Sequence, residues 1–176
     1  MTTNEMFNNG TSVANIPLVF EGRELSAKLQ AKLMIMRVTY DKAMAAFQEK
    51  MQEVVKGLKP EGYDELDEGF KKMESIEAKE GATAEELEEA KKFRAEKLED
   101  YEAKKRILLD KVNEAYIQEG ASESDAKVKK FTEDEYAEIL SVVKTEGVIK
   151  YSMGEDKAVD MPKMAFLGMI AVNLVE

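Results

Sequence analysis

The chain of 176 residues contains no His, no Cys and no Trp. Without imidazole or thiol, the usual nucleophile, base and metal-ligand sets cannot be built from this subunit alone, so neither a catalytic centre nor a bound cofactor is expected. No disulfide can form, and packing must hold the fold. Positive charge is also in deficit: 26 Lys and Arg stand against 36 Asp and Glu, a formal charge of -10 that repels nucleic acid. The densest basic runs, Lys104-Lys105-Arg106 and Lys127, Lys129 and Lys130, are flanked by acids and lack interleaved aromatics, so both read as solvated helix faces. The longest apolar run, Met164 to Val172 broken at Gly168, is far short of the ~20 residues that cross a bilayer, and no membrane span is expected. A secretory leader is missing too, since residues 1–15 are polar with Glu5 among them, which points to the cytoplasm of the synthesising cell.

The candidate chemical motifs weaken on inspection. No Gly-x-x-x-x-Gly-Lys-Ser/Thr or Gly-x-Gly-x-x-Gly loop occurs, so no nucleotide cradle or other small-molecule site is in view. The acidic clusters Asp64, Glu65, Asp67, Glu68 and Glu85, Glu86, Glu88, Glu89 lack the spacing of a calcium loop and read as solvated faces. Ser124-Asp125-Ala126-Lys127 matches Ser-x-x-Lys, but without its companion motifs. Asn9-Gly10-Thr11 fits a glycosylation acceptor and reads instead as a flexible turn.

What remains is helical patterning. Residues 1–22 read as an arm without intrinsic order followed by a short extended segment, Ile16-Pro17-Leu18-Val19-Phe20, closed by Glu21-Gly22. Residues 23–119 read as a long helical hairpin or bundle. Its first seam runs Leu29, Leu33, Met36, Tyr40, Ala43, Phe47, Met51, Val54 in steps of three and four, and Gly57 with Pro60 stops it. A second seam follows from Tyr63 to Ala115 through Leu66, Phe70, Met73, Ala84, Leu87, Leu98, Tyr101, Leu108 and Val112. Thr83 and Glu86 form a capping-box pair that marks a break near Gly81, while the preserved phase across it argues against a large reorientation. Residues 120–176 read as a small α+β module: a helix capped by Thr132 and Glu135, carrying Ile139, Leu140 and Val143 inward and ending at Gly147; a hairpin from Val148 to Met161 turning at Gly154-Glu155-Asp156; and a terminal helix opened by Pro162. That last helix is apolar on every side and is expected to need burial all round. The fold class is therefore mainly α, with long antiparallel helices in a coiled-coil-like arm and helix content above ~60%.

Two apolar stretches exceed what one helix seam can hide. Leu33, Met34, Ile35 and Met36 encircle a helix, and Met164, Phe166, Leu167, Met169 and Ile170 crowd the C-terminal segment, so these nine are the candidate partner-binding residues. With its polar arm, acidic Glu/Lys/Ala helices and apolar C-terminus, the chain resembles small virion or virion-packaged proteins of tailed bacteriophages. The resemblance implies a place in a virion and a structural task. The expected function is that of a non-enzymatic subunit of a larger assembly, binding other proteins of the assembly or itself. The alternative is a helical chaperone or adaptor that holds client segments between its arms.

Overall fold

The computed structural model describes residues 1–20, 24–152 and 157–176, and helices make up 73% of it. In chain order the elements are α1 (Thr3–Asn15), a 3-10 turn (Ile16–Val19), α2 (Ala27–Leu58), α3 (Tyr63–Glu77), α4 (Ala84–Ala121), α5 (Glu133–Ser141), β1 (Val148–Ser152), β2 (Ala158–Pro162) and α6 (Lys163–Leu174). Contacts divide the chain into two units, residues 1–48 with 120–176, and residues 49–119. Both α2 and α4 contribute to each unit.

In the first unit, the start of the chain is ordered helix rather than a loose arm. Thr2 and Glu5 form a reciprocal capping box, with the Thr2 amide donating to the Glu5 carboxylate at 2.8 Å and the Glu5 amide to Thr2 Oγ1 at 3.2 Å. The polar residues do not oppose the helix, because Ser12 and Asn15 return hydrogen bonds of 2.8 Å to the carbonyls of Asn8 and Thr11 one turn back. Met6 and Val13 are buried beneath it. Gly10, inside the expected flexible turn, lies close against α2: a Cβ there would lie 3.1 Å from Tyr40 Cβ. Ile16–Val19 is a 3-10 turn and not an extended segment, since Pro17 occupies a first-turn position where its fixed φ suits a helix. The expected Glu21-Gly22 turn lies outside the described residues.

The rest of this unit closes over α1 and α2. Thr132 with its α5 capping box and Pro162 at the start of α6 match their local sequence signals, but α5 ends at Ser141, short of Gly147. In consequence Ile139 and Val142 are buried, Val143 is half-buried and Leu140 is exposed. Gly147, with φ 94°, supplies the left-handed turn into β1. β1 and β2 pair antiparallel from Val148 with Pro162 to Ser152 with Ala158. The expected turn at Gly154-Glu155-Asp156 lies outside the described residues. Asn15 extends this hairpin by one pseudo-strand, donating to the Ser152 carbonyl at 3.1 Å and accepting from the Ser152 amide at 3.0 Å. α6 buries Phe166, Leu167, Ile170 and Leu174 along one stripe, against a ring such as Tyr151 with centroids 5.8 Å apart. Its other face stays open, so the expectation of burial all round fails: a twelve-residue helix at the edge of a small core has neighbours on one side only.

The second unit is built on antiparallel contact between α3 and α4. Tyr63 stacks on Tyr101 at 5.9 Å, Phe70 stacks on Tyr101 at 4.4 Å and meets Phe93 edge-on at 5.3 Å, and Arg94 forks onto Glu77 at 2.9 and 3.1 Å. Rising numbers on α3 meet falling numbers on α4, so the chain reverses at the break. The preserved phase across Gly81 misled on this point: the left-handed φ of 88° at Gly81 and the Thr83–Glu86 capping box terminate one helix and start another. At the far end Lys50 pairs with Glu119. On α4 the expected seam positions Leu87, Tyr101, Leu108, Val112 and Ala115 are half-buried, whereas Ala84 and Leu98 are exposed and Ala90, off that seam, is fully buried. Asp67 accepts a hydrogen bond of 2.8 Å from the Tyr101 hydroxyl, and this bond to a carboxylate holds the phenol well above its usual range.

Candidate functional site

The nine residues singled out by sequence separate into interior and surface. Phe166, Leu167 and Ile170 are buried in the first unit's own core, and Met169 is half-buried beside them. Phe166, Leu167 and Ile170 are packing residues and offer no surface. Met164 is 60% exposed. On α2, Met36 is buried and Leu33 half-buried, whereas Met34 and Ile35 are 70% and 67% exposed. This follows from helix geometry: at about 100° per residue, Leu29, Met36 and Tyr40 share the inward face, and Met34, Ile35 and Val38 share the opposite one.

Beside that open face runs a groove of about 500 Å³ within the first unit. One wall is α2, through Lys28, Ala31, Lys32, Ile35, Met36 and Thr39; the other is the segment Lys127 to Lys129, with Glu135 of α5 at one end. The second wall is not helix. Residues 124–130 form no helix, and exposure alternates from Ser124 to Lys129, so the expected solvated helix face at Lys127, Lys129 and Lys130 is corrected. The segment is fastened at both ends, by an antiparallel bridge between Glu123 and Thr2 and a parallel bridge between Phe131 and Val175.

Lys32 locks the groove's end to α5. Its ammonium donates to the Lys130 carbonyl and the Glu135 carboxylate, each at 2.5 Å, and stands 5.5 Å over the Phe131 ring. Glu135 is held below the usual carboxylate range, first by Lys32 and then by the Thr132 amide it caps. A carboxyl with a depressed folded value contributes stability above its unfolded value of about 4.3, and loses it as pH falls through the lower folded value. Glu135→Gln, which can keep the cap but not the charge, is expected to lower stability at pH 7 by about 1–2 kcal/mol. Urea denaturation from pH 7 to pH 2 checks this: the gap between variant and parent should close in acid, and equal stability at pH 7 would show that the pair contributes nothing.

The groove could not be found from local signals. Lys32 and Glu135 are separated by 103 residues in sequence, and nothing in either neighbourhood announces the other. One signal was available, the alternation of Ala126 and Val128 with Lys127 and Lys129, which has a strand period rather than a helical one. Among the described residues, no group of three or more Asp and Glu converges as a metal site, and no helix is long and apolar enough to cross a membrane.

These observations define a mainly helical protein with a small antiparallel hairpin near its C-terminus and an open, apolar-floored groove. No family model, curated protein or solved structure matches the chain.

Proposed function

We propose that this chain is a non-enzymatic structural or accessory subunit of a larger protein assembly, of the kind packaged in or forming part of tailed-phage virions. The observation that carries this reading is the outer face of α6. Met164 and Val172 are 60% and 79% exposed, Ala165 and Gly168 are exposed with them, and no charged residue lies among them. An uninterrupted apolar helix face in water marks a protein contact, since each large side chain covered contributes about 1.5–3 kcal/mol. The aromatic and ionic pairing of α3 with α4 supports reading residues 49–119 as an arm of antiparallel, coiled-coil-like helices.

The test is the native mass of the full chain in extracts of the source cell, for the parent and for Met164→Glu with Val172→Lys. These charges suit the two ends of a helix, and both positions are exposed, so folding should change by less than ~0.5 kcal/mol. The parent should migrate in a large particle and the double variant as the free chain. A parent that runs as a free 19.8 kDa chain removes the reading. A helical chaperone or adaptor is the second reading, favoured by the apolar floor of the α2 groove. It would run as a small self-oligomer.

A further inference from the structure

The segment between Ser124 and Phe131 has the properties of a strand waiting for a neighbour. The Ser124 amide donates to the Met1 carbonyl at 3.0 Å and the Phe131 amide to the Leu174 carbonyl at 2.7 Å, so both ends are held. Between them, the amides of Lys127, Val128, Lys129 and Lys130 find no protein acceptor among the described residues. A backbone fastened at both ends, with a strand-like alternation of exposure between them, can accept an added strand with little further ordering.

The surroundings select what that strand would be. In a chain of net charge -10, Lys28, Lys32, Lys127 and Lys129 line the groove, and Glu135 is the one acid among the lining residues. Glu135 already faces Lys32 at 2.5 Å and Lys28 at 3.9 Å, which leaves Lys127 and Lys129 to solvent. The floor between these cations is apolar, formed by Ala31, Ile35, Met36 and Val128. A polyanion backbone would gain nothing from such a floor, whereas a peptide alternating acidic and large apolar side chains meets both features.

We propose that this groove docks an acidic, extended segment of a partner protein, which pairs its backbone with residues 127–129, seats an apolar side chain on Ile35 and Val128, and sets carboxylates against Lys127 and Lys129. This deepens the subunit reading by giving one partner a chemistry, and it uses a surface separate from the outer face of α6. The competing account of the lysines is that they guard an exposed edge against pairing of any kind.

The two accounts differ in a binding experiment on the full chain. The probe is a fluorescein-labelled eight-residue peptide alternating Asp or Glu with Leu or Phe, followed by anisotropy. The controls are the same peptide with Lys for every acid, the acidic peptide with central prolines, and a labelled oligothymidine. The acidic peptide should bind despite the protein's like net charge, more weakly at higher salt, and Lys127→Glu with Lys129→Glu should weaken it about tenfold or more while thermal melting is unchanged. The proline peptide should lose most of the affinity, because its backbone cannot pair. No binding, equal binding by the double variant, or tighter binding of the basic peptide or the oligothymidine would each overturn the proposal. So would a dimer in sedimentation that the Lys127→Glu, Lys129→Glu variant abolishes, because a second copy would then fill the groove. If the peptide fails while the α6 variant still leaves its assembly, the groove alone is refuted; if the peptide binds while the parent runs as a free chain, the subunit reading is the one that falls.

Discussion

Replacing Leu167 and Ile170 together with Asp is expected to abolish the cooperative unfolding transition of the first unit. Both side chains lie in its core, 2% and 0% exposed, beside Phe166 and Leu174. Two carboxyl groups placed there would either remain charged without water or take up protons, and each choice costs several kcal/mol on top of the lost apolar burial. Against a typical total of about 5–15 kcal/mol, no folded population of that unit should survive. Scanning calorimetry and amide exchange in α1 and α6 measure it. The charged variants at Met164 and Val172 provide the control on the same helix, because those positions face solvent. If the Leu167, Ile170 variant melts like its parent, α6 is not core and the assignment of its inward face is wrong.

Phe131→Ala should cost about 3–5 kcal/mol in denaturant unfolding, the range for emptying a buried aromatic site. Phe131 is 0% exposed, and its backbone is held by the Leu174 carbonyl at 2.7 Å and the Glu176 amide at 3.0 Å. Its ring also lies under the Lys32 ammonium. Removing the ring empties the core where the extended segment, α2 and the end of α6 meet, so protection of the Phe131 and Glu176 amides should fall in exchange measurements. A shift below about 1 kcal/mol would mean that the neighbours collapse into the space, or that the ring does not anchor the segment.

Much of the local structure was written in short-range signals. The α2 seam from Leu29 to Val54 names eight positions, and each is buried or half-buried, because a 3.6-residue period places them on one face whatever covers it. The same period carries no information about the partner. From Tyr40 to Phe47 the seam meets α1: Phe47 packs edge-on against Phe7 at 5.1 Å, and Tyr40 meets Gly10. The capping boxes at Thr83 and Thr132 were legible for the same short-range reason, since their partners lie three residues away. The box at Thr2 and Glu5 was equally local, but the surrounding Asn, Thr and Ser outweighed it in a reading by composition.

The candidate site shows the limit more sharply. Its apolar candidates, Met34, Ile35 and Met164 on the surface and Phe166, Leu167 and Ile170 in the core, look alike in sequence, because hydrophobicity does not say which neighbours arrive. The lysines at 127 and 129 were legible as charge, but not as the rim of a groove.

By itself, then, the sequence determined the helical character, the starts of α4 and α5, a short hairpin after Gly147, and the acidic charge without imidazole or thiol. These depend on residues a few positions apart or on composition alone. Only the tertiary structure decided that residues 3–15 are helix, that the chain reverses at Gly81, that α6 is buried on one side, and that Lys32 closes a groove with Glu135. Each of those outcomes rests on a contact between residues far apart in the chain, and a local pattern cannot specify the partner that a face will meet.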